Sequence, residues 1–485
     1  MLTIHDIAVW DTGERIDLVV PGVDTQRSLI QAGAVTSGHV DGSALTVAPG
    51  LADPHVHFRD PGQTDKETMV SGAAAAAAGG YTRVLIMPNT LPAADGRDVN
   101  FDDPALADRS GIKQLREAGC ANVLDYLQCY ERIHGSKLPV RYDLSVCASV
   151  DRAGGTATGT GVFGRFMDLG DNVSDVVCEH PLRAISDDGS AISDQTLERV
   201  LEAAKAGGLP VLEHCERHDA SQVNVNRGAV SRELGVPGVP AETELAVVER
   251  DIEAVRRTRV HVHFQHVSTA AAFDAVRKAK AEGLPITCET APHYLALSDE
   301  AVLKYGSMAK MNPPLRSEAD RRATLAAVSD GTVDMIATDH APHTLVEKSG
   351  ELGKTPNGIV GLECAYGVCR RVLVESGIIG DGRLIELMAL APERLMGHTP
   401  TDVAGLLNAS SHCGLKRVLD LGAVEHPELV DMVVLDTNEQ WTVDSTQFHS
   451  LGRNTPFDGW ELIGRPVATV IGSKLVYSRL ERPGQ

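Results

Sequence analysis

The sequence predicts an α/β protein: a (β/α)8 barrel of the TIM type carrying a small β module formed by the N- and C-terminal segments. Three observations lead to this reading. Eight short β-rich runs recur through the middle of the chain and several are followed by a helical pattern. Both ends instead carry short apolar stretches separated by Gly, Asp and Thr turns. The length, 485 residues, exceeds what one compact unit needs and suits a barrel plus an accessory module. The expected division is 1–45 and 425–485 for the β module and 46–424 for the barrel.

Taken in order, Ile7–Trp10 and Leu18–Val20 read as strands of the N-terminal part. The barrel runs are Leu45–Ala48, Arg83–Met87, Leu144–Cys147, Leu182–Ile185, Pro210–Leu212, Val260–Phe264, Pro285–Cys288 and Val333–Ile336. Helical partners are clearest from Glu67 through the alanine run Ala73–Ala78, over Gln195–Ala206, over Glu242–Arg257 and over Thr269–Ala281. The alanine run reads as structural, because small side chains let a helix lie close to a barrel wall. Between Asp151 and His180 the glycines Gly154, Gly155, Gly159, Gly161 and Gly164 leave no convincing third helix. At the C-terminal end, Met432–Leu435 is followed by Val467–Ile471, a Gly-Ser turn and Lys474–Tyr477, a hairpin pattern. The two ends are expected to meet in one sheet.

Composition excludes several functions. The formal net charge of −21, from 45 basic and 66 acidic residues, would repel a phosphate backbone and argues against nucleic-acid binding. No apolar run of about eighteen residues could span a bilayer, so no membrane role is expected. The opening residues, with an acidic side chain and no basic segment before an apolar core, do not read as a signal peptide, and a cytoplasmic location is the expectation. The nine cysteines contain no CxxC pair and suit reduced thiols.

Chemistry-bearing residues gather just after the barrel runs, at the end where barrel enzymes place their sites. In Asp53-Pro-His55-Val-His57-Phe-Arg59, strand alternation would put His55, His57 and Arg59 on one face. With 18 histidines in the chain, chance alone gives roughly 0.7 HxH pairs. A lone pair is therefore weak evidence, and the second one, His261 and His263, is consistent with barrel filling. Company strengthens the first. Asp187-Asp188-Gly189, Glu213-His214-Cys215, Gln265-His266 and Thr338-Asp339-His340-Ala-Pro-His343 follow later runs. Each alone could be a hydrogen-bonded polar residue or a turn. Together, four imidazoles and two carboxylates suffice for two metals with open positions for water, and zinc suits so nitrogen-rich a set, other first-row divalents being the alternative.

With these motifs assembled, the chain resembles the amidohydrolase superfamily and, within it, dihydroorotases whose metal bridge is an aspartate. The most specific segments are Asp53–Arg59, Met87-Pro-Asn-Thr90, Lys310-Met-Asn-Pro-Pro-Leu315 and Ala337–His343 followed by Lys348. The resemblance implies reversible cyclisation of N-carbamoyl-L-aspartate to L-dihydroorotate in pyrimidine biosynthesis, by a hydroxide bridging two Zn2+ ions. It implies His55 and His57 on one metal, His214 and His266 on the other, and a bridge from Asp188, with Asp187 as the fallback. Asp339 would ligate the first metal and act as the catalytic acid/base. Substrate contacts would come from Arg59, Asn89 and His343 at the carboxylate, from Asn312 and the backbone of Asn357 and Gly358 at the ring amide, and from His57. No lysine lies between Pro181 and Ser190, which disfavours the carbamylated-lysine bridge of hydantoinases and many allantoinases. Two rivals follow: another cyclic amidase, such as an allantoinase or hydantoinase, and a catalytically dead dihydroorotase-like partner of aspartate carbamoyltransferase. The expected partners are the small-molecule substrate, a homo-oligomer and aspartate carbamoyltransferase.

Overall fold

In a computed structural model the chain is described over residues 1–107, 109–166, 180–217, 221–408, 411–413 and 416–481. Eight parallel strands form the barrel: β1 Leu51–Val56, β2 Tyr81–Ile86, β3 Arg141–Cys147, β4 Leu182–Ser186, β5 Val211–His214, β6 Val262–Gln265, β7 Ile286–Thr290 and β8 Met335–Ile336. They follow one another around the sheet in chain order. A parallel bridge from Val56 to His340, just beyond β8, closes the ring. Closure removes the unpaired edges an open sheet would expose, so the strands are nearly continuous apolar or small runs buried on both faces.

The first strand differs from the sequence expectation. Leu45–Pro49 pairs antiparallel with Met432–Thr442, Val47 facing Val434, and so belongs to the terminal sheet. Gly50 separates it from β1, whose run carries Asp53, Pro54 and His55 and is the less strand-like of the two; long-range pairing decides which one enters the barrel. A Cβ on Gly50 would come within 2.2 Å of the Thr82 side chain, so the crossover into the barrel needs glycine.

The terminal sheet has ten strands drawn from both ends of the chain, with Leu2–Val9 between Arg15–Val20 and Leu45–Pro49. Lys416–Asp420 pairs parallel with Arg15–Val20, so the sheet recruits residues before position 425. The expected hairpin is present: Glu461–Ile471 and Lys474–Ser478 pair around Gly472 and Ser473, whose φ values of 57° and 63° match a type I′ turn.

The alanine-rich helix spans Met69–Ala78 and starts at the N-cap Thr68, whose hydroxyl accepts from the Ser71 N–H. It is buried almost throughout. A Cβ on Gly72 would meet the Phe58 ring at 2.4 Å, and the Ala77 carbonyl accepts from Thr469 of the terminal sheet at 2.7 Å. Small residues thus wedge this helix between barrel and module. Helices Leu197–Gly207, Glu242–Thr258 and Ala270–Ala281 match their expected positions to within a few residues. The stretch from Asp151 to His180 does contain a helix, Thr160–Phe166, despite its glycines; residues 167–179 lie outside the described residues.

Candidate active site

The carboxyl ends of the strands converge on one buried cluster. His55 sits on β1 and His57 one residue past it, Asp188 follows β4, His214 ends β5, His266 follows β6, and Asp339 follows β8. His55 Nε2 lies 3.2 Å from Asp188 Oδ1 and 3.6 Å from Asp339 Oδ1. His57 Nε2 is 3.1 Å from Asp339 Oδ1 and 3.4 Å from Asp188 Oδ2. On the other side, His214 Nδ1 and His266 Nε2 approach Asp188 Oδ1 to 3.5 and 3.7 Å. Asp188 therefore stands among all four imidazoles. Asp187 turns away, accepting from the Ser149 N–H at 3.0 Å and the Ser149 hydroxyl at 2.5 Å.

Backbone strain marks the same residues. Arg59, His266 and Asp339 have φ of 58°, 34° and 48°, a region that non-glycine residues rarely enter and that clusters at functional sites. Asp53 holds the two ends of the barrel seam together, its carboxylate accepting from the His55 N–H at 3.0 Å and the Thr338 hydroxyl at 2.5 Å. The left-handed turn at Arg59 also ends the strand alternation, so Arg59 reaches the site from a loop and not from a continued pleat.

The donor set fits a divalent metal. His55, His57 and Asp339, and separately His55, Asp188 and His266, each bring three ligand atoms within 4.8 Å of one another. His55 Nε2 is buried and faces the Asp188 and Asp339 carboxylates, and His214 Nδ1 faces His266 Nε2 at 2.9 Å. Burial opposes a charge on His55, yet the facing Asp188 and Asp339 carboxylates lift its pKa well above the usual imidazole value. Burial would raise Asp188, but the charges of His55 and His57 hold it well below the carboxylate range. Two carboxylates and converging nitrogen lone pairs thus demand positive charge at one point, which a cation can supply.

Around the cluster, Asn89 spans His57 and Asp188: its Oδ1 is 2.8 Å from His57 Nδ1 and its Nδ2 donates to Asp188 Oδ2 at 3.3 Å. The Arg59 guanidinium makes one side-chain hydrogen bond among the described residues, a long one of 3.4 Å from Nε to the Pro342 carbonyl. Burial pulls its pKa down to about 10 against the attraction of Asp339 and Asp188, so it stays charged at neutral pH. Asn312 is placed on His214, its Nδ2 being 3.0 Å from Nε2, with Asn224 donating to its Oδ1 at 2.9 Å.

The segment carrying Asn357 and Gly358 is largely engaged. The Gly358 N–H donates to the Lys310 carbonyl at 2.9 Å, and its own carbonyl accepts from Lys348 and Asn454 at 3.0 Å each. Asn357 Oδ1 is buried without a partner among the described residues, so Asn357 offers the freer contact. His343 Nε2 lies 2.8 Å from the Asn357 carbonyl, and burial with the charges of Arg59, Lys66 and Lys348 pushes the ring down to about 2. The neutral ring donates from Nε2, which leaves Nδ1 as an acceptor.

Three contributors went unnoticed in the sequence. Glu289 on β7 contacts His55, Asn224 orients Asn312, and the Arg152 guanidinium packs over the turn after Asp188, where a Cβ on Gly189 would meet it at 2.7 Å. Glu289 had a signal, an acidic residue at an inward position of a barrel strand; Asn224 and Arg152 sit outside the barrel strands and had none.

The dihydro-orotase-like family model matches residues 45–128. A dihydroorotase of Geobacter metallireducens is 37% identical over 444 residues, covering 91% of this chain and 89% of that protein. One of Citrifermentans bemidjiense is 36% identical over 485 residues, covering 98% and 99%. Among solved structures, an L-hydantoinase of Arthrobacter aurescens superposes with a TM-score of 0.68 at 20% identity, covering 99% of this chain and 96% of that one. A D-hydantoinase of a Thermus species has the same TM-score and identity, covering 100% and 96%. At such identities the two hydantoinases establish the barrel-and-module fold only.

Proposed function

The chain belongs to the dihydroorotase family, and from that premise we propose that it interconverts N-carbamoyl-L-aspartate and L-dihydroorotate, the ring-closing step of pyrimidine biosynthesis. One observation carries the choice of substrate: a charged guanidinium, Arg59, stands without an ion-pair partner among the described residues beside four imidazoles and two carboxylates. A fork of charged donors fits a carboxylate, which dihydroorotate has and neutral hydantoins and dihydrouracil lack.

His55, His57 and Asp339 would hold one divalent ion and His214 and His266 the other, with Asp188 between them; zinc suits the nitrogen-rich set. When bound, two such ions supply Lewis acidity, activating a water and polarising the amide carbonyl. The protein's own groups do the rest. Arg59, with the free Nδ2 proton of Asn89, fixes the substrate carboxylate and so places the scissile amide over Asp188 and Asp339. Asp339 would take the proton from the attacking water as the C–O bond forms and return it to the ring nitrogen as the C–N bond breaks, and it reverses these roles in ring closure. His343 is better placed to hold the Asn357 carbonyl than to bind a carboxylate, because the nitrogen it has left carries no proton. Asn312 lies against the far nitrogen of His214, and Asn357 remains the contact for the ring amide edge.

The hydantoinase reading has the fold in its favour but needs a bridging lysine, and the β4 end offers Asp187 and Asp188 instead. A catalytically dead member would be expected to have lost ligands, whereas every position of this cluster is filled. Turnover of dihydroorotate, dihydrouracil, hydantoin and allantoin by the protein and by Arg59→Met decides between the readings. Loss of a charge-assisted bidentate contact is expected to cost roughly 1.5–3 kcal/mol on dihydroorotate and little on the neutral amides. An equal loss on all four, or a preference for a neutral amide in the unaltered protein, contradicts the proposal.

A further inference from the structure

The second HxH pair of the sequence takes no part in the cluster, yet it is not mere filling. His263 projects into the barrel from β6, and its Nε2 lies 3.0 Å from Oε2 of Glu289 on β7. The other Glu289 oxygen, Oε1, lies 2.8 Å from Nδ1 of His55, across the barrel on β1. His263 Nδ1 is in turn 2.8 Å from the hydroxyl of Thr287, its cross-strand neighbour. All three side chains of the chain His55, Glu289 and His263 are buried, none more than 1% exposed. A carboxylate is expensive to bury in a barrel core and is retained there only where its oxygens find donors. Here both do.

The geometry also settles which nitrogen of His55 faces which way. Nε2 points at Asp188 and Asp339, and Nδ1 at Glu289. Gln265 Nε2 also lies 3.1 Å from Nδ1, but an amide nitrogen is a donor and cannot accept the Nδ1 proton. Glu289 can. We propose that Glu289 is a positioning residue for His55: it accepts the Nδ1–H, fixes the tautomer whose Nε2 lone pair faces the cluster, and through its charge makes that nitrogen a stronger metal donor, while His263 holds Glu289 in place. The inference rests on the reading of the cluster as a metal site. A ligand imidazole commonly has its far nitrogen bonded to a carboxylate, and removing that partner typically weakens metal binding by about 10- to 100-fold.

The test uses the full chain stripped of metal, with zinc affinity measured by competition with a chromophoric chelator and visible absorption recorded after loading with cobalt. Glu289→Gln keeps the shape and removes the charge. It is expected to bind one of its two ions about 10- to 100-fold more weakly and to alter the cobalt spectrum, while thermal unfolding of the metal-free protein stays near that of the unaltered chain. If Glu289→Gln does not fold, His263→Gln, which loosens Glu289 from the far side, is expected to weaken the same ion in the same direction. Unchanged affinity and spectrum in a folded variant overturn the positioning role and leave the metal reading standing. Failure of the unaltered chain to bind two ions overturns both.

Discussion

Two adjacent carboxylates, Asp187 and Asp188, leave the end of β4 in opposite directions. Asp187 is tied to the backbone and hydroxyl of Ser149, which anchors the loop after β3, while Asp188 faces the imidazoles of His55, His57, His214 and His266. Replacing each with alanine should therefore have different consequences. Asp188→Ala is expected to lose bound metal and turnover together with the fold intact. Asp187→Ala leaves the Ser149 donors unpaired and is expected to lower stability by about 1–3 kcal/mol while keeping its metal. Elemental analysis and thermal unfolding of both variants distinguish them, and the reverse ranking would move the central role to Asp187. The sequence alone left this choice open because a turn aspartate and a ligand aspartate are the same residue type one position apart. It made His214 and His266 legible, since each closely follows a recognisable β-rich run, and His55 and His57 legible as an HxH pair in the company of Arg59. Glu289 was harder to see: its worth depends on partners 234 and 26 residues away, His55 and His263, which only the closed barrel brings together.

At the scale of elements, the Met69–Ala78 helix shows how an unpromising composition can be specific. An alanine run has little amphipathic pattern of its own, and its placement follows from close approach: Gly72 lies against the Phe58 ring, and Phe58 is one residue from His57 and from Arg59. Gly72→Val must displace a fully buried ring and is expected to destabilise the protein by about 1–3 kcal/mol, read as a lowered unfolding midpoint. Because Phe58 belongs to the active-site loop, the same variant should also lose turnover; a fully stable and fully active Gly72→Val would show that the helix has slack against the barrel. Most strands and the four principal helices were readable from periodicity and turn residues. The first barrel strand was not, because Leu45–Pro49 is the more strand-like run of the two, while Leu51–Val56 carries Asp53, Pro54 and His55; they are told apart by the partner strand Met432–Thr442, almost 400 residues downstream. The short helix Thr160–Phe166 was missed for another reason: its two glycines, Gly161 and Gly164, lower local helix propensity that tertiary contacts override.

For the whole molecule, a barrel concentrates its chemistry at one end, and volume alone is a poor guide to where. A cavity of about 850 Å³ lies at the opposite end, near Gly50, Arg83 and Arg141, but those arginines are already paired with Glu393 and Asp431. The cluster at the carboxyl ends of the strands instead leaves Arg59 without an ion-pair partner among the described residues and gathers two carboxylates that call for a cation. Among the described residues no helix is long and apolar enough to cross a membrane. A requirement for two divalent ions in dihydroorotate turnover is expected of this cluster. Its most direct test is to remove metal by dialysis against a strong chelator and follow dihydroorotate turnover as zinc is returned, with bound metal measured in the same samples. No turnover is expected without metal, with recovery complete at two ions per chain; full activity in a verified metal-free sample, or complete recovery with one ion, rules out a two-ion site.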